Sequence, residues 1–67
     1  MVCYVNDTPQ PLANNWLLAD LLASLGQTHF RGLAVAVNDQ VIPQAAWGSY
    51  AVQPHDRVLL IRATQGG

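Results

Sequence analysis

Apolar and polar positions alternate at the start of the chain, with Met1, Cys3 and Val5 on one parity and Val2 and Tyr4 on the other. Period 2 in β-branched and aromatic residues predicts a first strand over Val2–Val5. Asn6-Asp7-Thr8-Pro9 then combines side chains that bond their own backbone with a proline that presets φ, so a turn is expected. A short return strand over residues 10–13 follows, held near a sheet edge by Pro11. From Trp16 the period changes. Leu18, Leu21, Leu22 and Leu25 stand at i, i+3, i+4 and i+7, one apolar stripe of an α-helix. Asn14 or Asn15 is placed to cap its first turn, Asp20 lies toward the positive end of the dipole, and Gly26 suits the left-handed residue that closes a helix. The segment spans roughly 15 Å at about 1.5 Å per residue, enough to cover one face of a small sheet.

Beyond a polar stretch at residues 27–32, Leu33–Val37 reads as a strand ended by Asn38-Asp39-Gln40. Val41-Ile42-Pro43 is a short extended piece, and Pro43 also suits the first position of a turn of helix through Gln44-Ala45-Ala46-Trp47, broken at Gly48. Tyr50-Ala51-Val52 reads as a brief strand before the turn Gln53-Pro54-His55-Asp56. The last strand, residues 57–63, is apolar on both parities, with Val58 and Leu60 on one face and Leu59 and Ile61 on the other. Both faces therefore require cover, from the core or from a partner. Thr64-Gln65-Gly66-Gly67 has no apolar anchor. The expected organisation is one domain over residues 1–63, followed by a flexible tail over residues 64–67. The element order implies an α+β layer, one helix packed on a mixed sheet.

Composition narrows the chemistry. Charged residues make up 10% of the 67 positions, against roughly 25% in an ordinary soluble domain. The cations are Arg31, Arg57 and Arg62, the anions are Asp7, Asp20, Asp39 and Asp56, and there is neither Lys nor Glu. Without Lys there is no Schiff base and no P-loop lysine. A net charge of −1 with scattered Arg lacks the clustered basic face that nucleic acid requires. No apolar run approaches the roughly 18 residues of a membrane span, and the N-terminal residues lack the basic region of a signal peptide. A cytoplasmic protein is expected. One cysteine forms no internal disulfide, and Cys3, His29 and His55 lack zinc spacing. Cys3, between Met1 and Val5 on one strand face, reads as a plain buried thiol. His29 and His55 read as surface loop residues, Trp16 and Trp47 as packing at the edge of the core, and the four Asp as turn and helix-start residues rather than an acid-base pair. A domain this small buries only about 60% of its unfolded surface, which leaves little room for an active-site cleft.

The strongest functional signal is Gly66-Gly67. Two residues without side chains enter a channel too narrow for any β-carbon and take backbone angles closed to others. At roughly 7% Gly, two terminal glycines coincide by chance in about 0.5% of chains. Around this tail the residues form a pattern: Asn6-Asp7 after the first strand, Asp20-Leu21-Leu22 in the helix, Val37-Asn38-Asp39-Gln40-Val41-Ile42-Pro43 with Trp47 four residues on, Asp56 before an apolar strand, and Gly66-Gly67. The chain thereby resembles the ThiS family, the sulfur carrier proteins of thiamine biosynthesis, in the β-grasp or ubiquitin-like superfamily. Gly-Gly alone indicates the superfamily, whereas Asn-x-x-x-Ile-Pro-x-x-x-Trp points to this member. Gln44 stands where the family commonly has a basic residue, and His55 where a Gly-Asp turn is usual.

The resemblance implies a β-grasp fold and a protein that is a cosubstrate rather than an enzyme. On that expectation a ThiF-like adenylating enzyme, using ATP and magnesium, converts the Gly67 carboxylate to an acyl adenylate. Sulfur from a cysteine desulfurase route turns it into a thiocarboxylate, and a ThiG-like thiazole synthase receives that sulfur. No cofactor or metal is expected on the chain itself. If Val58 and Leu60 face the helix, parity turns Leu59 and Ile61 outward beside the root of the tail, where they are the expected partner-binding residues; the alternatives are the opposite parity, or cover by self contacts. Alternatives are another β-grasp carrier, serving molybdopterin or tRNA thiolation, or a ubiquitin-like modifier joined through Gly67 to a target lysine. A small enzyme is disfavoured by the missing catalytic set.

Overall fold

In the computed structural model, which describes residues 1–27 and 29–63, two Asn-Asp pairs organise the sheet. Asn6 and Asp7 both have positive φ (49° and 67°), as do Asn38 and Asp39 (50° and 70°). Two consecutive left-handed residues make the tight hairpin turn whose twist matches that of its strands, and Asn and Asp tolerate that region better than other residues with a β-carbon. The first turn joins β1 (Val2–Val5) to β2 (Thr8–Pro11), the second β3 (Leu33–Val37) to β4 (Gln40–Ile42). The return strand thus begins at Thr8, two residues before the sequence pattern places it, because the turn needs only Asn6 and Asp7. Likewise Gln40 belongs to β4. Pro9 and Pro11 are tolerated within β2 because it is an edge strand. They pair with Tyr4 and Val2, at the positions where a two-residue hairpin directs the backbone nitrogen away from its partner strand.

The sheet is completed by β5 (Arg57–Arg62), and its order is β2-β1-β5-β3-β4. β5 runs parallel to β1 and antiparallel to β3. Helix α1 (Leu18–Ser24) provides the buried side chains Leu18, Leu21 and Leu22, with Leu25 half-buried, as the apolar stripe predicts. One helix on a mixed five-stranded sheet is the expected α+β arrangement. The helix starts later than the period suggests, and at 7 residues it is only about 11 Å long. Residues 16 and 17 are drawn into extended pairing instead, with Leu17 bridging Ala51 and the Val52 amide donating to the Trp16 carbonyl at 3.0 Å. That single bridge is all that forms of the brief strand expected at residues 50–52. Neither Asn14 nor Asn15 caps the helix. Asn15 occupies a left-handed position (φ 61°), and the Leu17 amide donates to Asp20 Oδ2 at 2.9 Å. Gly26 closes the other end with φ 77°, its amide donating to the Ala23 carbonyl and that of Gln27 to the Leu22 carbonyl, so two carbonyls of the last turn are satisfied.

The core gathers Cys3, Val5, the three helix leucines, Val35, Val37, Ile42 and Val58 with Leu12, Trp47 and Val52. Met1 is 62% exposed despite sharing the parity of Cys3, since it precedes the strand. Trp47 follows a single 3₁₀ turn at Gln44–Ala46 and lies deeper than the edge position expected of it. It is 3% exposed. Its indole Nε1 donates to the Ile42 carbonyl at 2.8 Å, and Phe30 packs edge-to-face on it at 5.1 Å. Trp16 is half-buried. Ahead of β5, Pro54 precedes His55 with φ 69°, and the Asp56 amide donates to the Gln53 carbonyl at 3.1 Å. A histidine thus holds a position that glycine fills without strain; the left-handed conformation costs a residue with a β-carbon roughly 1–2 kcal/mol. Asp56 braces the turn by accepting the Gln53 amide at 2.8 Å.

Candidate functional site

β5 carries the chain from the centre of the sheet toward Gly66 and Gly67, so the way it is held sets the candidate site. On one side the Tyr4 amide donates to Asp56 and the Asn6 amide to Val58, both at 2.9 Å. β1 then turns away. The Asn6 side chain takes over the ladder: the Leu60 amide donates to Asn6 Oδ1 at 2.9 Å, and Asn6 Nδ2 donates to the Leu60 carbonyl at 3.3 Å. On the other side Asn38 does the equivalent at the start of the strand. Its amide donates to the Arg57 carbonyl at 2.8 Å, its Oδ1 accepts the Arg57 amide at 2.9 Å, and its Nδ2 donates to Asp56 Oδ1 at 2.9 Å. Each Asn therefore shapes a hairpin and braces β5. Replacing Asn6 by glycine keeps the left-handed turn while deleting both bonds to Leu60. Asn6→Gly is expected to cost about 1–2 kcal/mol, seen as a lower urea midpoint together with faster exchange of the Leu60 amide; an unchanged midpoint would remove this role.

Braced in this way, β5 buries Val58 and half-buries Leu60 against the core, while Leu59 and Ile61 stand outward at 46% and 54% exposure. The pairing register adds neighbours that sequence reading did not single out. Leu59 is opposite Ala36, and Ala36 is opposite Val41, so Val41, Ala36 and Leu59 form one row across three strands. Ile61 is opposite Ala34 in the next row. Small alanines between larger side chains leave a shallow apolar trough, continued by Tyr4 and bordered by Asn6, Asp7, Asp39 and Arg57. Val41 is 70% exposed. The missed signal was the alternation in β3, where Val35 and Val37 on the core face imply Ala34 and Ala36 on the outer one. Arg57 and Asp39 approach to 3.5 Å at the rim, both well exposed, so this pair contributes at most about 1 kcal/mol.

Cys3 is fully buried; burial, and then the Asp56 carboxylate, push its thiol above the ordinary range. A protonated, inaccessible thiol is a poor nucleophile. His29 and His55 are exposed loop residues. Among the described residues no three His, Cys, Asp or Glu side chains cluster as metal ligands, and no helix is long and apolar enough to cross a membrane. Gly66 and Gly67, the expected site of modification and insertion, lie outside the described residues. The last described position, Ala63, donates its amide to the Gly32 carbonyl at 2.8 Å.

Comparison with known proteins relates this geometry to a family. The model of the ThiS family matches residues 2–67. The chain is 34% identical over 62 residues to the sulfur carrier protein ThiS of Escherichia coli strain K12, covering 92% of each chain. The crystal structure of a thiamine biosynthesis protein, ThiS, from Geobacter metallireducens is similar with a TM-score of 0.84 at 25% identity, over 100% of both chains. The solution structure of a thiamine biosynthesis protein from the same organism gives 0.81 at 25% identity, over 100% of this chain and 88% of the other.

Proposed function

The chain belongs to the ThiS family, with its β-grasp fold, and on that premise we propose that it carries sulfur for thiazole formation in thiamine biosynthesis on Gly67. A free carboxylate is a poor electrophile. An ATP- and magnesium-using adenylating enzyme of the ThiF type joins the Gly67 carboxylate to AMP and releases pyrophosphate, so that AMP becomes the leaving group. The terminal sulfur of a persulfide, fed by a cysteine desulfurase, attacks the acyl carbon and displaces AMP. A second thiol then attacks the donor cysteine sulfur of this acyl disulfide and cleaves the S–S bond that the persulfide brought, leaving a thiocarboxylate on Gly67 and a disulfide on the donor. The thiocarboxylate sulfur is the nucleophile delivered to a ThiG-type thiazole synthase. In each step the carrier is the substrate of a partner, which is why it needs no general base of its own.

The observation that carries this reading is the trough around Leu59 and Ile61. It is an exposed apolar surface on the very strand that leads to the two glycines. A partner covering it gains the burial that solvent denies those side chains, and it does so within a few residues of the reacting group. Residues 1–63 thus serve as the domain that is gripped and residues 64–67 as the segment that is inserted. The test is incubation with a cognate adenylating enzyme, ATP, magnesium and a cysteine-derived sulfur source, followed by intact mass measurement. Replacement of one oxygen by sulfur, localised to Gly67, is the expected result. Conjugates to lysines of other proteins without that replacement indicate a modifier, and no change in a competent system defeats both readings.

A further inference from the structure

Arg62, the last residue of β5, makes three side-chain hydrogen bonds that the carrier chemistry does not explain. Its Nη2 donates to Gln27 Oε1 at 2.6 Å and to the His29 carbonyl at 2.7 Å, and its Nη1 donates to the Arg31 carbonyl at 3.2 Å. All three acceptors lie between helix α1 and β3. That stretch is itself tied to the core at both ends. The Gln27 amide donates to Leu22 at its start, the Leu33 amide donates to Phe30 at its end, and Phe30 packs on buried Trp47. Gly32 completes the contact, its carbonyl accepting the Ala63 amide. A β-carbon at Gly32 would lie 3.3 Å from the Ala63 carbonyl oxygen, and φ there is 73°, so loop and strand backbones meet with no room between them.

We propose that Arg62 is a positioning residue, a clamp that joins this loop to the root of the tail and so fixes the direction in which the chain leaves the sheet at Ala63. The consequence follows from reach. Four residues span at most about 14 Å when fully extended, so the direction at Ala63 governs where the Gly67 carboxylate arrives once the trough is docked. A planar guanidinium with several fixed donors suits this task, because it holds acceptors from three residues in one orientation; a lysine ammonium has no such fork. The kinetic part rests on the carrier reading above, whereas the geometric part does not.

The test compares wild type with Arg62→Ala and Arg62→Lys by amide hydrogen exchange and by adenylation kinetics. Exposed on the sheet surface, Arg62 is replaceable without touching the core. In Arg62→Ala the Ala63 amide is expected to exchange about tenfold faster while the Val35 and Val37 amides keep their protection. In the same variant kcat for adenylation falls several-fold with KM for the carrier unchanged, since the docking trough is intact, and Arg62→Lys recovers only part of each effect. Unchanged Ala63 exchange overturns the clamp, and faster exchange with unaltered kcat overturns its positioning role. Failure of wild type to be adenylated by a competent enzyme defeats the carrier reading instead, and the exchange measurement then decides the clamp alone.

Discussion

Deletion of Gly67 is expected to abolish the oxygen-for-sulfur exchange and to leave the folded domain as it was. The new terminal carboxylate, on Gly66, sits one residue or about 3.5 Å short of its former reach. Since a misplacement of about 1 Å can cost a hundredfold in rate, the loss should exceed a hundredfold. Stability is expected to be unaffected because, among the described residues, every buried core side chain lies between Cys3 and Val58. Thermal unfolding monitored beside the mass assay separates the two effects. Gly67→Ala keeps the length and adds one methyl group, and it should also be a poor substrate if the tail enters a channel that excludes β-carbons. Wild-type exchange in the shortened chain would end the assignment of chemistry to Gly67.

The second large effect is expected at the trough. Burying a Leu or Ile side chain is worth about 1.5–3 kcal/mol, and Leu59 and Ile61 are both available to a partner. Leu59→Asp combined with Ile61→Asp removes that gain twice and sets two carboxylates against an apolar surface. Affinity for the adenylating enzyme should fall by at least about a hundredfold. Asp is a poor strand residue, costing up to about 1 kcal/mol at each position, so the companion pair Leu59→Thr and Ile61→Thr is needed. It keeps strand propensity and loses most of the apolar surface, and its binding should weaken in the same direction. Titration calorimetry against the enzyme, with circular dichroism to establish folding, gives the result. Unchanged affinity in a folded double variant would show that the partner docks elsewhere.

Much of this was legible along the chain, for local reasons. The stripe Leu18, Leu21, Leu22 and Leu25 and the parity of β5 follow from the 3.6 and 2.0 periods of the backbone, which neighbouring residues alone determine. What was not legible depends on residues far apart. Asn6 and Asn38 look like turn formers, and they are. Their bonds to Leu60 and Arg57 span 54 and 19 positions, and no local pattern announces them. The helix start moved for the same reason, because pairing of Leu17 with Ala51 outweighed the apolar period at residue 16. Arg62 looked like a charge at the end of a strand until folding brought the loop carbonyls to it.

The sequence by itself thus determined which side chains share a face, where the hairpins turn and that the chain carries two glycines beyond its last strand. These are consequences of covalent geometry and of residue types acting over a few positions. Only the tertiary structure decided which face meets the core and which strands lie side by side. The row Val41, Ala36 and Leu59 exists because β5 lies between β1 and β3 in a particular register. That choice is made by packing the whole core at once, since a slip of one residue in β5 would bury Leu59 and Ile61 and expose Val58.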